Sequence, residues 1–228
     1  MTVPLPPLSP RLAAIASLVP VGSVAADVGA GHGLLAAHLV ASGRCPRVVV
    51  VDRSRDELAA SATLPGLSHR LGDGLAPVDP EDRVDTVIIA GMGGAAIAGI
   101  LARRPEPLTV SRFILQPQTE AALVRKRLAG AGLALVDERL VRDGARFYVV
   151  LVATPGPPPE PVRFPGLTAE DVHAAGPVLL LRRPAELTVA WERQRARLSK
   201  IARRGGGDAA LARAERIVSY LAASAPGG

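Results

Sequence analysis

The chain of 228 residues contains one cysteine, Cys45, so it closes no intrachain disulfide and offers no cysteine cluster to a metal. A reducing cytoplasm suits such a chain. Lysine is nearly as scarce, with Lys126 and Lys200 the only two, so the remaining basic side chains are arginines. Aromatic residues make up 3%, too few for a stacking platform along single-stranded nucleic acid. No apolar run reaches the ~20 residues of a membrane-spanning helix. The most apolar window, residues 86–101, is broken by glycines and reads as buried strand, turn and helix. The opening run, Met1-Thr-Val-Pro-Leu-Pro-Pro, lacks the basic and apolar regions of a signal peptide. The expectation is a cytoplasmic protein with no membrane span and no metal site.

Apolar residues are plentiful at 48%, enough for a globular core in one domain with an appendage, or in two small domains. Basic side chains number 27 against 21 acidic ones. The planar arginine fork matches phosphate, so an anionic partner is expected, although an arginine-rich composition alone would give the same excess.

Residues 26–35 carry the most chemistry: Ala-Asp-Val-Gly-Ala-Gly-His-Gly-Leu-Leu sets Asp27 before glycines 29, 31 and 33, between a β-like and a helix-like run. A strand that turns this tightly into a helix can bring backbone N–H groups against a ligand. A Cβ would block the approach or forbid the dihedrals. Dinucleotide enzymes space these glycines G-x-G-x-x-G. The D-x-G-x-G-x-G form here is usual where the ligand is S-adenosylmethionine, with Asp27 at the strand end positioning the ligand's polar tail. The competing reading is a glycine-rich turn with no ligand.

Short β-branched runs alternate with alanine- and leucine-rich stretches, the pattern of a parallel α/β sheet. Strands are expected at 24–28, 47–52, 68–71, 84–90 and 112–115, with helices at 12–19, 33–41, 55–63, 95–103 and 119–131. Segments 133–141 and 146–153 close the series as an antiparallel hairpin. The fold class is α/β: a Rossmann-like, mostly parallel sheet of the class I methyltransferase kind, ending in that hairpin. After Ala153, Thr-Pro-Gly-Pro-Pro-Pro-Glu-Pro continues neither a helix nor a central strand, which sets a domain boundary between residues 153 and 154.

Beyond the boundary, Leu187, Trp191, Gln194, Leu198 and Ile201 recur at steps of three and four, as do Leu211, Ala214, Val218 and Leu221. Gly205-Gly206-Gly207 turns the chain between them, and Asp208 is placed to cap the second helix. These two helices read as an antiparallel coiled-coil appendage, too short to stand without the main domain or a partner. Residues 154–228 carry 11 basic and 7 acidic side chains. Arg193, Arg195, Arg197, Lys200, Arg203 and Arg204 fall on the outer face and are candidate RNA phosphate contacts. The plainer reading is a solvated helix face.

Further candidates stand where strands end. Asp52, followed by Arg53, closes the second strand about twenty residues past the glycine turn, where an acid can take both ribose hydroxyls of an adenosyl ligand. In Gly72-Asp73-Gly74, Asp73 could accept from an adenine amino group while the glycines admit the ring, a simple Asp-Gly turn being the competitor. Ala90-Gly91-Met92-Gly93-Gly94 follows the fourth strand at the edge where such sheets bind ligands, so methyl donor and acceptor should meet there. The Asn/Asp-Pro-Pro-aromatic motif of most base-amino methyltransferases is absent from that place. His32 is the polar group at the glycine turn, or on the plainer reading a helix-start residue.

Ile88-Ile-Ala-Gly-Met-Gly-Gly, then Phe113-Ile-Leu-Gln-Pro, then Asp143-Gly with Phe147-Tyr148, resemble the bacterial tRNA (adenine-22) N1-methyltransferases of the TrmK type. Leu8-Ser-Pro-Arg-Leu and Gly176-Pro-Val-Leu-Leu fit the same family, so the likeness spans nearly the whole chain. The resemblance implies methyl transfer from S-adenosylmethionine to N1 of an adenine in the D-arm region of tRNA. It implies cofactor contacts at Gly29, Ala30, Gly31, Gly33, Asp52, Arg53, Asp73, Gly74 and Ala90. The acceptor would lie on Gly91, Met92, Gly93 and Gly94, with Gln116 and Pro117 lining the same pocket and Arg125 as a basic RNA contact. The family commonly carries an acid where this chain has Gly31, an aromatic where it has Leu34, and an asparagine where it has Gln118, while His32 is kept. If that acid handles a proton, another group must do so here.

N1 of neutral adenine carries a lone pair, so catalysis asks mainly for alignment and desolvation. N1 also lies on the Watson–Crick edge, so a paired or stacked adenine must be extruded to react. The residues leave two other readings open: a small-molecule S-adenosylmethionine-dependent methyltransferase, and a non-catalytic protein that binds this cofactor or RNA. The oligomeric state, monomer or weak dimer, is not set by the sequence.

Overall fold

A strand that is apolar on consecutive positions has to be covered on both faces. In a computed structural model, which describes residues 7–61, 63–105 and 108–223, β1 (Val24–Val28) and β2 (Arg47–Asp52) meet that condition. Val48, Val49, Val50 and Val51 are all fully buried. β3 (Leu67–Leu71), β4 (Thr86–Gly93), β5 (Arg112–Thr119), β6 (Leu133–Asp143) and β7 (Arg146–Pro155) complete one sheet in the order β3-β2-β1-β4-β5-β7-β6. β1 to β5 pair in parallel, while β7 pairs antiparallel with both β5 and β6.

Five helices cover the sheet: α1 (Pro10–Leu18), α2 (Leu34–Ala41), α3 (Arg55–Ala60), α4 (Gly94–Ala102) and α5 (Ala121–Leu128). Alternate strand residues serve opposite layers. Val49, Val51, Val87, Ile89 and Leu115 pack in one cluster with Ile97 and Leu101 of α4 and Val124 of α5. Val48, Val50, Ile88 and Ile114 pack in the other with Ile15 of α1 and Leu35 and Leu39 of α2. The strand order reverses between β1 and β4, which opens the crevice where doubly wound sheets bind ligands.

Several boundaries differ from expectation for identifiable reasons. Ser9 caps α1 by accepting the Leu12 N–H at 3.4 Å, so the helix starts at Pro10. β4 and β5 both run further, to Gly93 and Thr119, because the glycine loop after Ala90 stays paired with β5 through a bulge. α5 ends at Leu128 in a short 3-10 turn closed by Gly132 at φ +66. Residues 1–6, on which the reading of no signal peptide partly rests, and Ala62 of the expected third helix lie outside the described residues.

The chain divides into two compact units between Pro159 and Glu160, β7 itself continuing to Pro155. The second unit holds α6 (Ala169–Ala175), α7 (Pro177–Arg182), α8 (Ala185–Ala202) and α9 (Asp208–Ala223). The sequence pattern missed α6 and α7, which are too short to show a period and are separated by Gly176-Pro177. Thr168 and Asp171 form a capping box on α6. The fully buried Asp171 carboxylate also accepts from Arg216 of α9 through two bonds of 2.8 Å, which holds its pKa down to about 2. α8 and α9 therefore have a base within their own unit. Their apolar seam buries Leu187, Ala214, Ile217, Val218 and Leu221, but Gln194 and Ile201 are exposed, so it is narrower than a full coiled coil. Asp208 lies in the first turn of α9, where its charge complements the helix dipole.

Candidate active site

The loops leaving β1, β2 and β3 converge with β4 and α4 around a cavity of about 400 Å³. Gly29, Asp52, Arg53, Asp73, Gly74 and Met92, all expected from the sequence, line it together. Its other wall is the α4 face formed by Ala95, Ala96, Gly99, Ile100 and Arg103, which the sequence reading did not select. A signal existed: small residues at 95, 96 and 99 share a helix face directly after the glycine loop and leave width for a flat group. Gly74, at φ +59, admits no side chain, since a Cβ there would sit 3.1 Å from Ile100. A Cβ on Gly29 would collide with the terminal methyl of Met92, which lies across it.

The glycine turn does not present bare N–H groups, as its spacing suggested. The Gly29 and Ala30 N–H groups both donate to the Val51 carbonyl, at 2.7 and 3.3 Å, and Gly33 donates to Ala30 at 3.0 Å. The Gly31 N–H donates to Asp52 Oδ2 at 3.0 Å. The loop is closed onto β2, and Ala30, Gly31 and Gly33 form its scaffold rather than the cavity lining. Gly33 is required because a Cβ would strike the Ser61 hydroxyl. Asp52 also accepts the Ser54 N–H on Oδ1 at 2.9 Å. Each of its oxygens keeps a lone pair for a ribose hydroxyl.

Asp27 is buried and does not line the cavity, so it is not the direct tail contact that was expected. Burial first, and the nearby Asp52 second, push its carboxyl up to about 7. His32 is exposed, with Nδ1 2.7 Å from Glu57 Oε2 of α3. A Cβ on Gly31 would come 3.6 Å from that same oxygen. Glu57 therefore stands beside the position where the family's acid would project, and it was not legible from the sequence. Cys45 is buried, and burial, then Asp85, pushes its thiol up to about 11, so it is no nucleophile.

The expected acceptor residues divide into lining and support. Met92 lines the cavity, whereas Ala90, Gly91, Gly93 and Gly94 do not. Gly94 makes room for the turn into α5, since a Cβ would lie 2.5 Å from the Glu120 carbonyl. Gln116 and Pro117 are buried. The Gln116 amide oxygen accepts the Gly91 N–H at 3.2 Å and its nitrogen donates to the Pro117 carbonyl at 2.9 Å. Gln116 thus fixes the loop instead of facing a substrate.

Arg125 is not an RNA contact. Its side chain is 1% exposed and donates from Nε to the buried Glu138 carboxylate at 2.6 Å, because α5 turns this residue inward beside Val124 and Leu128. By contrast Arg193, Arg197, Lys200, Arg203 and Arg204, at the end of α8, are all exposed. The helical unit also holds an open cleft of about 810 Å³ flanked by Arg183, Arg216 and Tyr220. Arg183 donates there to the Tyr220 hydroxyl, as Arg216 does to Asp171. Among the described residues no group of three His, Cys, Asp or Glu side chains could hold a metal, and no helix is long and apolar enough to cross a membrane.

The chain matches the family model of a methyltransferase domain over residues 8–151. It is 30% identical over 195 residues to the tRNA (adenine(22)-N(1))-methyltransferase of Bacillus subtilis strain 168, a stretch covering 82% of this chain and 81% of that protein. The crystal structure of the B. subtilis M1A22 tRNA methyltransferase TrmK is similar at TM-score 0.77 and 25% identity, covering 96% of this chain and 98% of that one. That of Streptococcus pneumoniae Sp1610 in complex with S-adenosyl-L-methionine is similar at TM-score 0.81 and 26% identity, covering 94% and 100%. With its wound sheet, closing hairpin and D-x-G-x-G-x-G loop at the cavity, the chain belongs to the class I S-adenosylmethionine-dependent methyltransferases, in the tRNA (adenine(22)-N(1))-methyltransferase family.

Proposed function

We propose that the protein transfers a methyl group from S-adenosylmethionine to N1 of an adenine in tRNA, at position 22 in the D-arm region. The observation that carries this reading is the cavity at the strand-order reversal, where Asp52 and Asp73 stand on either side of a glycine-bounded space. The residues present fit an adenosyl group. Asp52 has lone pairs for the ribose hydroxyls, and the Gly72-Asp73-Gly74 turn with the small α4 residues leaves a slot for the adenine. Asp73 is paired with Arg103 at 3.3 Å, but both are well exposed, so the pair is weak and exchanges readily for a ligand contact. The volume lies within the range of ligand sites.

When bound, S-adenosylmethionine supplies a methyl group activated on a cationic sulfur. The adenine N1 attacks with its own lone pair, so no residue has to remove a proton first. The chain's task is to hold the acceptor in line and to exclude water. Met92 closes the cavity over Gly29, and the bulge that carries it is braced by Gln116. The Glu57–His32 pair leaves a carboxylate at the loop rim, which favours a cationic product without moving a proton. The exposed cations of α8 supply sequence-independent contact with the tRNA backbone, a role that a small-molecule acceptor would leave unfilled. The substrate places the reaction in the cytoplasm.

The test is incubation with labelled donor and bulk tRNA from a strain lacking N1-methylated adenine 22, followed by mass-spectrometric mapping. The expected product is 1-methyladenosine in the D-arm region. Tight donor binding with no transfer to any tRNA would overturn the proposal.

A further inference from the structure

The sequence Leu8-Ser-Pro-Arg-Leu places Arg11 in the first turn of α1, far in sequence from every residue of the cavity. Its Nη1 donates to Gln116 Oε1 at 2.6 Å. The same oxygen accepts the Gly91 N–H, and Gln116 Nε2 donates to the Pro117 carbonyl. Reversing this amide would set its NH2 against two donors, so the three partners fix its orientation. The Arg11 guanidinium also lies over the Tyr148 ring of β7, 5.5 Å from the centroid.

Gly91 is where this brace acts. Ala90 pairs with Gln116 and Met92 with Pro117, so Gly91 is the extra residue of a bulge and takes φ +77. Outside the ladder, its N–H is held by the Gln116 side chain. The next residue, Met92, is thereby thrown across Gly29 and becomes a cavity wall.

We infer that Arg11 is a positioning residue for methyl transfer, clamped by Tyr148 and acting through Gln116 to fix the Gly91 bulge that sets Met92 over Gly29. The inference rests on the proposed reaction for its kinetic consequence and on geometry alone for its structural one. Arg11 does not line the donor cavity, so donor affinity is spared while alignment is lost. Lysine cannot replace it, because an ammonium donates to Gln116 without a plane to stack on Tyr148.

The experiment compares R11A, R11K, Q116A, Y148A and Y148F in the full-length chain by hydrogen exchange of the peptide spanning residues 88–94, by donor titration, and by tRNA methylation. R11A and Q116A are expected to raise exchange in that peptide and to lower kcat at least about tenfold, with donor Kd within about twofold. R11K and Y148A should fall between R11A and wild type, and the double variant R11A/Y148A should be no worse than R11A. Y148F, which keeps the ring, should restore the wild-type exchange pattern. Unchanged exchange in R11A overturns the inference, as does a loss of kcat in R11A that Tyr148 truncation does not share. If the wild type methylates no tRNA, the proposed reaction fails, and the exchange measurements still decide the role of Arg11.

Discussion

The Asp52 carboxylate accepts the Gly31 N–H at 3.0 Å, which ties the end of the second strand to the loop that leaves the first. Asp52 thus shapes the glycine turn as well as facing the cavity. D52A removes two loop hydrogen bonds and a charged acceptor, each such contact being worth about 1.5–3 kcal/mol. Donor or S-adenosylhomocysteine affinity should drop at least about tenfold, and D52N, which keeps one accepting oxygen, should lose less. Isothermal titration checks this, and affinity within twofold in D52A would remove Asp52 from the site.

Asp27 gives the protein a distinctive pH dependence. Its folded carboxyl, pushed up from 3.8 to about 7, binds a proton that the unfolded chain releases earlier. Its contribution to stability is therefore fully present below pH 3.8 and is lost as pH rises through about 7. The rise corresponds to on the order of 4 kcal/mol. D27N carries no charge to bury, so wild type should lose several-fold more stability than D27N between pH 5.5 and pH 8.5. Urea unfolding at the two pH values measures the difference, and parallel curves would refute the assignment.

The sheet was legible because its strands are short runs of β-branched residues with one way to be covered. β1 and β2 fall where the sequence placed them, and the order of elements up to β7 follows. Asp52, Asp73 and Gly74 were legible because strand ends in such sheets face ligands. What escaped depends on side chains crossing between elements. Gln116 looks like a pocket residue until Arg11 and Gly91 are seen to use its amide. Glu57 looks like an ordinary first-turn acid until His32 folds onto it. α6 and α7 were missed because six or seven residues hold too few turns for a period to show.

Arg125 teaches the same lesson with a measurable consequence. R125A leaves Glu138 buried and unneutralised, which costs about 3–5 kcal/mol. The double replacement R125M/E138L removes both charges and should unfold within about 1–2 kcal/mol of wild type. Thermal or urea denaturation separates the two variants. The double variant should also bind tRNA as wild type does, and a selective loss of tRNA affinity would return Arg125 to the RNA surface.

The exposed cations at the end of α8 are the remaining RNA candidates, and salt dependence distinguishes contact from mere solvation. Each phosphate neutralised by a basic side chain steepens the fall of log affinity with log salt by about 0.7–0.9. The combined variant R193Q/R197Q/K200Q/R203Q/R204Q alters exposed positions, where single changes shift stability by only about 0.5 kcal/mol. Its tRNA affinity at low salt should drop by an order of magnitude or more, and its salt slope should flatten by about one for every one or two phosphates lost. Donor affinity should stay unchanged, because none of these residues lines the cavity. Filter binding between about 50 and 200 mM salt provides the slope. An identical slope in variant and wild type would make this a solvated helix face and move the search for the RNA surface to the catalytic unit.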